Sequence, residues 1–252
     1  LTSALGAIDA GFTTILNYSY IGLGSEHTRA DLDALTKSGL RAVFATRPDK
    51  GDETLSAFKA FAQGKAGSDL VTFALASDGP EYMTLDALKR EWALARELGL
   101  RITTQVGMGD LGRKEGLAQA AKAGLLGADV LFAHCNTLTN DDLKLIHDND
   151  GHVSIAPATE MMLGYGPATV QRMLDMNFEP SLGVDSEGAA RGDHFTQMRA
   201  AISMQHAMSF EKKLAHRLSP DQITTRHVLE FATSAGARAL GMEERIGTLT
   251  PG

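Results

Sequence analysis

Several features that mark particular protein classes are scarce in this sequence of 252 residues. Cys135 is its one cysteine, so no disulfide can form within the chain, which fits a reducing compartment and predicts a cytoplasmic location. No apolar run reaches the roughly 18 residues that a membrane span needs. The net charge of -7 and the pI near 5.6 argue against nucleic acid or an anionic membrane as the main partner.

Linkers, leaders and nucleotide-binding motifs are missing as well. The chain has no Pro/Ser-rich linker, and Leu1 to Ala10 lacks the basic start of a signal peptide. No Gly-x-Gly-x-x-Gly opens a helix, which counts against the structural alternative of a doubly wound, dinucleotide-binding sheet. The first residues already follow a helical pattern, and no initiator Met precedes them. We therefore expect both ends to be cut.

Short apolar segments alternate with amphipathic ones along the whole chain. Segments rich in β-branched and apolar residues predict seven strands, at 12–20, 41–46, 70–76, 101–106, 129–134, 152–157 and 180–185. Nearly continuous apolar strands between helices predict a parallel sheet covered on both faces. The interpretation is α/β, a TIM-type (β/α) barrel, with residues 1–252 as a single incomplete domain. A closed barrel has eight strands, so we expect the first to be missing.

In a parallel barrel, the carboxyl ends of the strands form the functional site. These ends carry Tyr20, Thr46, Asp78, Gln105, His134, Thr159 with Glu160, and Asp185. His134 and Asp185 are metal-ligand types at equivalent positions, and an imidazole and a carboxylate can share Zn²⁺ or hold a water as acid and base. Two ligands do not close a site, because catalytic zinc usually takes three protein ligands and a water.

Each candidate has a structural alternative. Asp185 follows an apolar strand but is also a residue type that caps a loop or helix. A histidine after an apolar strand, such as His134, can simply bond to a neighbouring carbonyl. Glu160 is expected in a mouth loop, with Gly164 and Gly166 nearby, where it either contacts a polar substrate or is solvated.

Other titratable residues carry weaker signals. His194 follows the Asp185 loop and could reach the mouth of the barrel, whereas the remaining histidines are expected to be structural or solvated. Cys135 is expected in the core, facing away from His134 by strand alternation. Thr139 predicts a helix N-cap, with acids in the following turn.

Three stretches of the chain resemble the amidohydrolase superfamily, in particular its cytosine deaminase/chlorohydrolase-like branch. They are HCNTLTNDDL at 134–143, PSLGVD at 180–185, and VLEFATSAGARALG at 228–241 with IGTLTPG at 246–252. The resemblance implies a metal-dependent hydrolase that releases ammonia from a ring amidine or cleaves another C–N bond. It also implies a mononuclear Zn²⁺ or Fe²⁺, and an accessory β-sandwich that we expect to be missing here.

Carried over by position, the resemblance gives roles to individual residues. Asp185 would bind the metal and take a proton from its water, and His134 would bind the metal or stabilise the developing oxyanion. The family's His-x-His pair is absent, Gln105 stands where the fifth strand usually has a histidine, and Met108 replaces an acid. Gln is a poor zinc ligand beside imidazole. Tyr20 stands where some relatives place a histidine.

These departures leave three hypotheses open. The first is a C–N hydrolase acting on a small-molecule substrate, which Gln105, Glu160 and His194 would help to bind. The second is a degenerate, non-catalytic barrel that binds a small molecule or serves as a subunit. The third is a hydrolase in which Glu160 or His194 replaces the usual ligand. A homo-oligomer stays open in all three, and unpaired sheet edges predict poor solubility of this chain alone.

Overall fold

The computed structural model describes residues 1–19, 25–47, 52–64, 68–110, 112, 114–215 and 221–251. Its strands are β1 Thr14–Ser19, β2 Arg41–Thr46, β3 Val71–Ser77, β4 Arg101–Val106, β5 Val130–His134, β6 His152–Ile155 and β7 Ser181–Leu182. Its helices are α1 Thr2–Asp9, α2 Ser25–Ser38, α3 Asp52–Ala62, α4 Leu85–Glu97, α5 Gly116–Lys122, α6 Asn140–Asp148, α7 Pro157–Leu163, α8 Val170–Leu174, α9 His194–Leu214, α10 Thr225–Ala232 and α11 Ser234–Ala239. The predicted alternation of seven strands with helices is confirmed, and the strand order follows the chain order.

The first of two compact units comprises residues 1–105 and 115–131. Its strands pair in parallel, with Thr14 opposite Arg41 and Ala42 opposite Val71. The burial pattern of β2 is continuous after its first residue, as expected for a parallel strand covered on both faces. Local patterning of apolar residues therefore accounts for this half of the sheet.

An aromatic cluster fills part of the core of the first unit. The ring of Phe44 on β2 lies 6.1 Å from that of Phe61 on α3 and 6.4 Å from that of Phe73 on β3. The rings of Phe61 and Phe73 are 5.2 Å apart and tilted, a favourable arrangement for aromatic pairs. Burial of these rings packs α3 against the sheet.

The second unit comprises residues 106–114 and 132–252. Ser154 of β6 pairs with Ser181 of β7 in parallel. Fully buried side chains of this unit include Phe132, Leu143 and Ile146, which lie on β5 and α6. Helix α6 begins at the predicted cap Thr139, whose hydroxyl accepts the N–H of Asp142.

Four predicted element boundaries in the second unit are wrong. The strand predicted at 152–157 ends at Ile155. The Asp185 strand ends at Leu182, because Gly183 makes the last bond to β6 and Asp185 adopts a left-handed backbone. The helix predicted from 167 to 176 is reduced to α8. The closing helix breaks at Thr233, whose ψ of -88° separates α10 from α11.

Two further expectations concern the residues that follow β1 and the absence of a membrane-spanning helix. Tyr20 and positions 21–24 of the predicted mouth loop lie outside the described residues, while Ser25 already begins α2. Among the helices that can be described, none is both long and apolar enough to span a bilayer.

Candidate functional site

The candidate site in the second unit begins where β5 ends. His134 and the following Cys135 both adopt left-handed backbone conformations, with φ of 76° and 61°. Such conformations cost a non-glycine residue about 1–2 kcal/mol each. The turn is held because the N–H of Cys135 donates to the carbonyl of Val106 at 2.9 Å and the N–H of Thr137 donates to that of Gly107 at 3.1 Å. Strain held by its surroundings in this way is concentrated at functional sites.

Gly107 lets this turn approach the end of β4. Its φ is +66°, and a Cβ at this position would lie 3.0 Å from Cγ of Leu138 and 3.1 Å from the carbonyl carbon of Cys135. A larger residue would therefore push away the turn that carries His134. The buried thiol of Cys135 agrees with its predicted place in the core, although the residue lies beyond the strand rather than in it.

Glu160 lies in helix α7 and is completely buried, so both its predicted mouth-loop location and the solvated alternative are wrong. Pro157 occupies the first turn of this helix, where its missing N–H costs nothing. The N–H of Ala156 donates to Oε1 of Glu160 at 2.9 Å, and the N–H of Glu160 donates back to the carbonyl of Ala156 at 2.9 Å. The side chain is thus anchored to the start of its own helix.

The structure brings two of the predicted site residues into contact. Nδ1 of His134 lies 3.2 Å from Oε1 of Glu160, and His134 is 4% exposed. Nδ2 of Asn136 donates to Oε2 of Glu160 at 3.1 Å and to the carbonyl of Gly166 at 3.2 Å. A buried carboxylate is tolerated only when such donors satisfy its oxygens.

Two residues that the sequence interpretation missed complete this cluster. Asn136 is the carboxylate's amide partner, and Tyr165 sets its ring edge-on to His134 with centroids 5.3 Å apart. The N–H of Tyr165 donates to the carbonyl of Glu160, so α7 and the residues directly after it supply both contacts of the imidazole. The sequence could have indicated Asn136 as a site residue, because its amide follows the candidate histidine by two positions. No neighbouring residue indicated that Tyr165 belongs to the site.

Asp185 does not join the His134 and Glu160 cluster through any hydrogen bond or ion pair. It is exposed, with φ of 56°, beyond the end of β7. Helix α9 is capped instead by Asp193, which accepts the N–H of Thr196 at 2.8 Å, so the alternative that Asp185 caps this helix is wrong.

The remaining predicted residues have varied environments. His194 is the first residue of α9 and half-buried; burial lowers its pKa, which the Asp193 carboxylate partly opposes. Gln105 is half-buried on β4 in the first unit. Asp78, also in that unit, pairs with Arg47 at 3.0 Å.

The described donor residues do not form a complete metal site. Within the described ranges, no three His, Cys, Asp or Glu side chains come together in a group that could hold a metal. Of the two predicted ligands, His134 is the buried one, and its Nδ1 faces a carboxylate. The described residues therefore offer parts of a metal site but not a complete one.

A separate buried carboxyl group lies in the first unit, on α4. Oγ of Ser77 donates to Oε1 of Glu91 at 2.5 Å and itself accepts the indole N–H of Trp92 at 3.0 Å. Burial raises the pKa of Glu91 to about 7, an effect that the Ser77 hydroxyl opposes and the Asp78 carboxylate reinforces. The sequence interpretation did not single out this residue, since it occupies an ordinary helical position.

The Amidohydrolase family model matches residues 2–252. A 5-methylthioadenosine/S-adenosylhomocysteine deaminase of Moorella thermoacetica is 27% identical over 266 residues, which cover 98% of this chain and 58% of that protein. The chain thus spans little more than half the length of this relative.

Solved structures share the fold. A zinc-bound adenosine deaminase of Xanthomonas campestris matches 98% of this chain and 57% of its own, with a TM-score of 0.77 at 20% identity. A guanine deaminase of C. acetobutylicum with bound guanine matches 98% of this chain and 62% of its own, with a TM-score of 0.81 at 16% identity. These likenesses confirm the predicted TIM-type (β/α) barrel class.

Proposed function

The chain belongs to the Amidohydrolase family, and from this premise we propose that it acts in metal-dependent hydrolysis of a C–N bond in a cyclic amidine or amide. The net reaction adds water to the ring carbon that bears the exocyclic amine, leaves a carbonyl, and releases ammonia. The family match across residues 2–252 carries the proposal, and the names of the relatives support deamination in particular. The substrate class is an amino-substituted nitrogen heterocycle, of which the adenine ring is our first candidate.

The cofactor in this proposal is Zn²⁺ or Fe²⁺, which when bound would lower the pKa of a water so that hydroxide exists near neutral pH. His134 and Asp185 are the proposed ligands from this chain. The burial of His134 and its contact with a carboxylate support the first assignment. The exposed, left-handed position of Asp185 after β7 supports the second, because strained residues at strand ends are typical of functional sites.

The residues of this chain would also handle the protons. In the proposal, the Asp185 carboxylate accepts a proton from the attacking water, and the departing amine needs a proton to leave as ammonia. Gln105, His194 and Glu160 stay predicted substrate-binding residues. The reaction is proposed to take place in the cytoplasm, supported by the single, reduced cysteine.

The alternative is a non-catalytic barrel that binds a small molecule or serves as a subunit. The observation that favours it is the lack of a three-ligand group among the described residues. Gln105, where the family resemblance leads us to expect a histidine, and Met108, where it leads us to expect an acid, support it as well. In that case the fold would persist without metal.

Elemental analysis of the protein, purified as its gene encodes it, separates the two proposals. We expect about one Zn or Fe per chain, as a mononuclear site requires. Ammonia release would then be assayed with 5-methylthioadenosine, adenosine and guanine. Asp185→Asn is expected to retain the melting temperature and lose both metal and turnover. A folded wild-type protein without metal would overturn the hydrolase and support the binding barrel, and unchanged turnover in Asp185→Asn would remove Asp185 from the mechanism.

A further inference from the structure

A small cavity lies in the second unit beside helices α8 and α9. Its walls come from these two helices, from the residues just before α8, and from Asn136 beyond β5. It contains about 360 Å³ of space, part of it open to solvent, which is near the lower end of the range for small-molecule pockets. Its lining includes neither His134 nor Asp185. The cavity is therefore large enough for a ligand with a single ring and is built from other residues than the proposed ligands.

Asn136 contributes an unpaired acceptor to the lining. Its Nδ2 donates to the carbonyl of Gly166 at 3.2 Å, and because a carbonyl can only accept, this bond fixes which end of the amide is the nitrogen. Asn136 is 6% exposed, and its Oδ1 has no hydrogen-bond partner among the residues that the structure describes. A buried acceptor without a partner is destabilising, so this oxygen calls for a donor from outside the chain.

Arg172 contributes donors to the same lining. Its Nε donates to Oδ1 of Asn140 at 2.7 Å, and its Nη2 donates to the carbonyl of Leu138 at 2.5 Å. These two bonds hold the half-buried guanidinium in place. Its Nη1 has no hydrogen bond to any of the described residues, so N–H groups are left for an acceptor.

The rest of the lining is apolar or already satisfied. Ala168, Met204 and Met208 supply apolar surface, and thioethers adapt well to the faces and edges of aromatic rings. Gln205 is buried, and its Nε2 donates to Oε1 of Gln171 at 2.6 Å and to the carbonyl of Asp221 at 3.1 Å, so it does not compete for a ligand. Water molecules against the methionines have few polar partners, and an apolar ring that displaces them gains affinity.

We infer that this cavity is a binding site for a small aromatic amide. The amide N–H donates to Oδ1 of Asn136, the amide carbonyl accepts an N–H of Arg172, and the ring packs against Met204 and Met208. A primary amide presents a donor and an acceptor side by side, which matches the unpaired groups of the lining. The inference does not depend on the proposed hydrolysis, because neither a metal nor a proposed ligand takes part.

Benzamide and N,N-dimethylbenzamide test the site in the wild-type protein. Both carry the ring and the carbonyl, but only benzamide has an N–H for Asn136. With carbon-13 in the methionine methyl groups, assigned through single Met→Leu variants, NMR titration should show saturable shifts of Met204 and Met208 with benzamide. N,N-dimethylbenzamide should bind about tenfold more weakly, because Oδ1 then stays unpaired. Met162 on α7 is 71% exposed and should not shift, which controls for contact with apolar surface in general.

Three results with the wild-type protein would overturn the inference. No saturable shift would mean that the cavity holds only water. Equal affinities for the two amides would mean that the Asn136 oxygen does not receive a hydrogen bond from the ligand. A shift of Met162 as large as those of Met204 and Met208 would mean that benzamide contacts apolar surface without selecting this cavity.

Ala168→Leu tests the location of the site. The larger side chain fills part of the cavity and should weaken benzamide binding at least about tenfold. Ala207→Leu is the matched control, because Ala207 is exposed on α9 outside the lining, and it should bind as the wild-type protein does. A folded Ala168→Leu variant with wild-type affinity would overturn the inference. If that variant does not fold, the comparison of the two amides decides. Metal content and ammonia release are not readouts here, so failure of this site leaves the proposed hydrolase standing.

Discussion

Nδ1 of His134 lies 3.2 Å from Oε1 of Glu160, although 26 positions separate the two residues in the chain. Helix α6 and strand β6 lie between them in sequence. The contact joins the end of β5 to the first turn of α7, with Asn136 bonded to the other carboxylate oxygen. A buried acid thus reaches the candidate histidine from the neighbouring β/α unit.

Glu91 should make stability depend on pH. Its pKa is about 7 in the folded protein against an ordinary 4.5, so between these values the unfolded chain ionises while the folded protein stays protonated. Stability is therefore fully present below pH 4.5, falls as pH rises towards 7, and levels off above. The full loss is about 3 kcal/mol.

Glu91→Gln should remove this slope. Urea unfolding at pH values of about 5 and 8 should show the wild-type protein losing about 2 kcal/mol more than the variant. Burying the uncharged amide of the Glu91→Gln variant costs the same free energy at both pH values. This cost therefore cancels when the stabilities at the two pH values are subtracted. Glu97→Gln, on the exposed side of the same helix, is the control and should keep the wild-type slope. Parallel slopes in all three proteins would contradict the raised pKa.

Gly79→Ala should destabilise the first unit. A Cβ at this residue would lie 1.8 Å from Oγ1 of the buried Thr104, and the φ of +78° disfavours any side chain. We expect a loss of about 3 kcal/mol in the free energy of unfolding, from overpacking and backbone strain together.

Gly124→Ala is the control for Gly79→Ala. Its φ of +68° is similar, but among the described residues no atom other than those of its chain neighbours lies within 4 Å of the added Cβ. It should therefore lose only about 1 kcal/mol, the backbone part of the cost. Equal losses in the two variants, measured by urea unfolding, would mean that the contact with Thr104 relaxes freely.

Asp185→Gly should stabilise the fold while removing activity. Asp185 has a left-handed backbone, which glycine adopts without a Cβ clash. Glycine also raises the conformational entropy of the unfolded chain, which offsets part of this gain, so we expect the free energy of unfolding to rise by about 0.5 kcal/mol. Asp150→Gly is the matched control, because Asp150 is also an aspartate with a left-handed backbone, at a φ of 58°, and lies away from the site. It should match the stability gain and keep wild-type turnover. Turnover retained by Asp185→Gly would contradict the proposed ligand.

Thr139→Ala should weaken helix α6 at its start. The Thr139 hydroxyl accepts the N–H of Asp142 at 3.1 Å, and the Asp142 carboxylate accepts the N–H of Thr139 at 3.0 Å. Loss of this reciprocal cap should cost about 1 kcal/mol in chemical unfolding. Asp141→Asn, which removes only a first-turn charge, should cost about 0.3 kcal/mol. A Thr139→Ala cost no larger than that of Asp141→Asn would show that the cap contributes nothing.

Local sequence patterns predicted the strands and helices well where apolar residues or a capping motif give one clear signal. The apolar runs around Val43, Ala74 and Ile102 predicted strands, and the structure contains them within one or two residues of the expected bounds. Thr139 with acids behind it predicted the cap that is observed. These features depend on backbone sterics and nearby hydrogen bonds, which a few adjacent residues determine.

Prediction failed where distant groups decide the outcome. Pro157 was assigned to the end of a strand, although proline also starts helices, and Gly164 with Gly166 suggested a loop where α7 lies. The break at Thr233 likewise follows no helix-breaking residue. At Pro157 two local preferences of proline compete, and at Thr233 no local signal marks the break.

The sequence alone determined the class of the fold, the alternation of seven strands with helices and the two polar residues at the ends of β5 and β7, because periodicity and turn chemistry act over short distances. Only the tertiary structure decided that Glu160 is buried against His134 and Asn136 while Asp185 stays exposed. A carboxylate is stable without water only where folding gathers its donors, and no short stretch of sequence specifies that meeting.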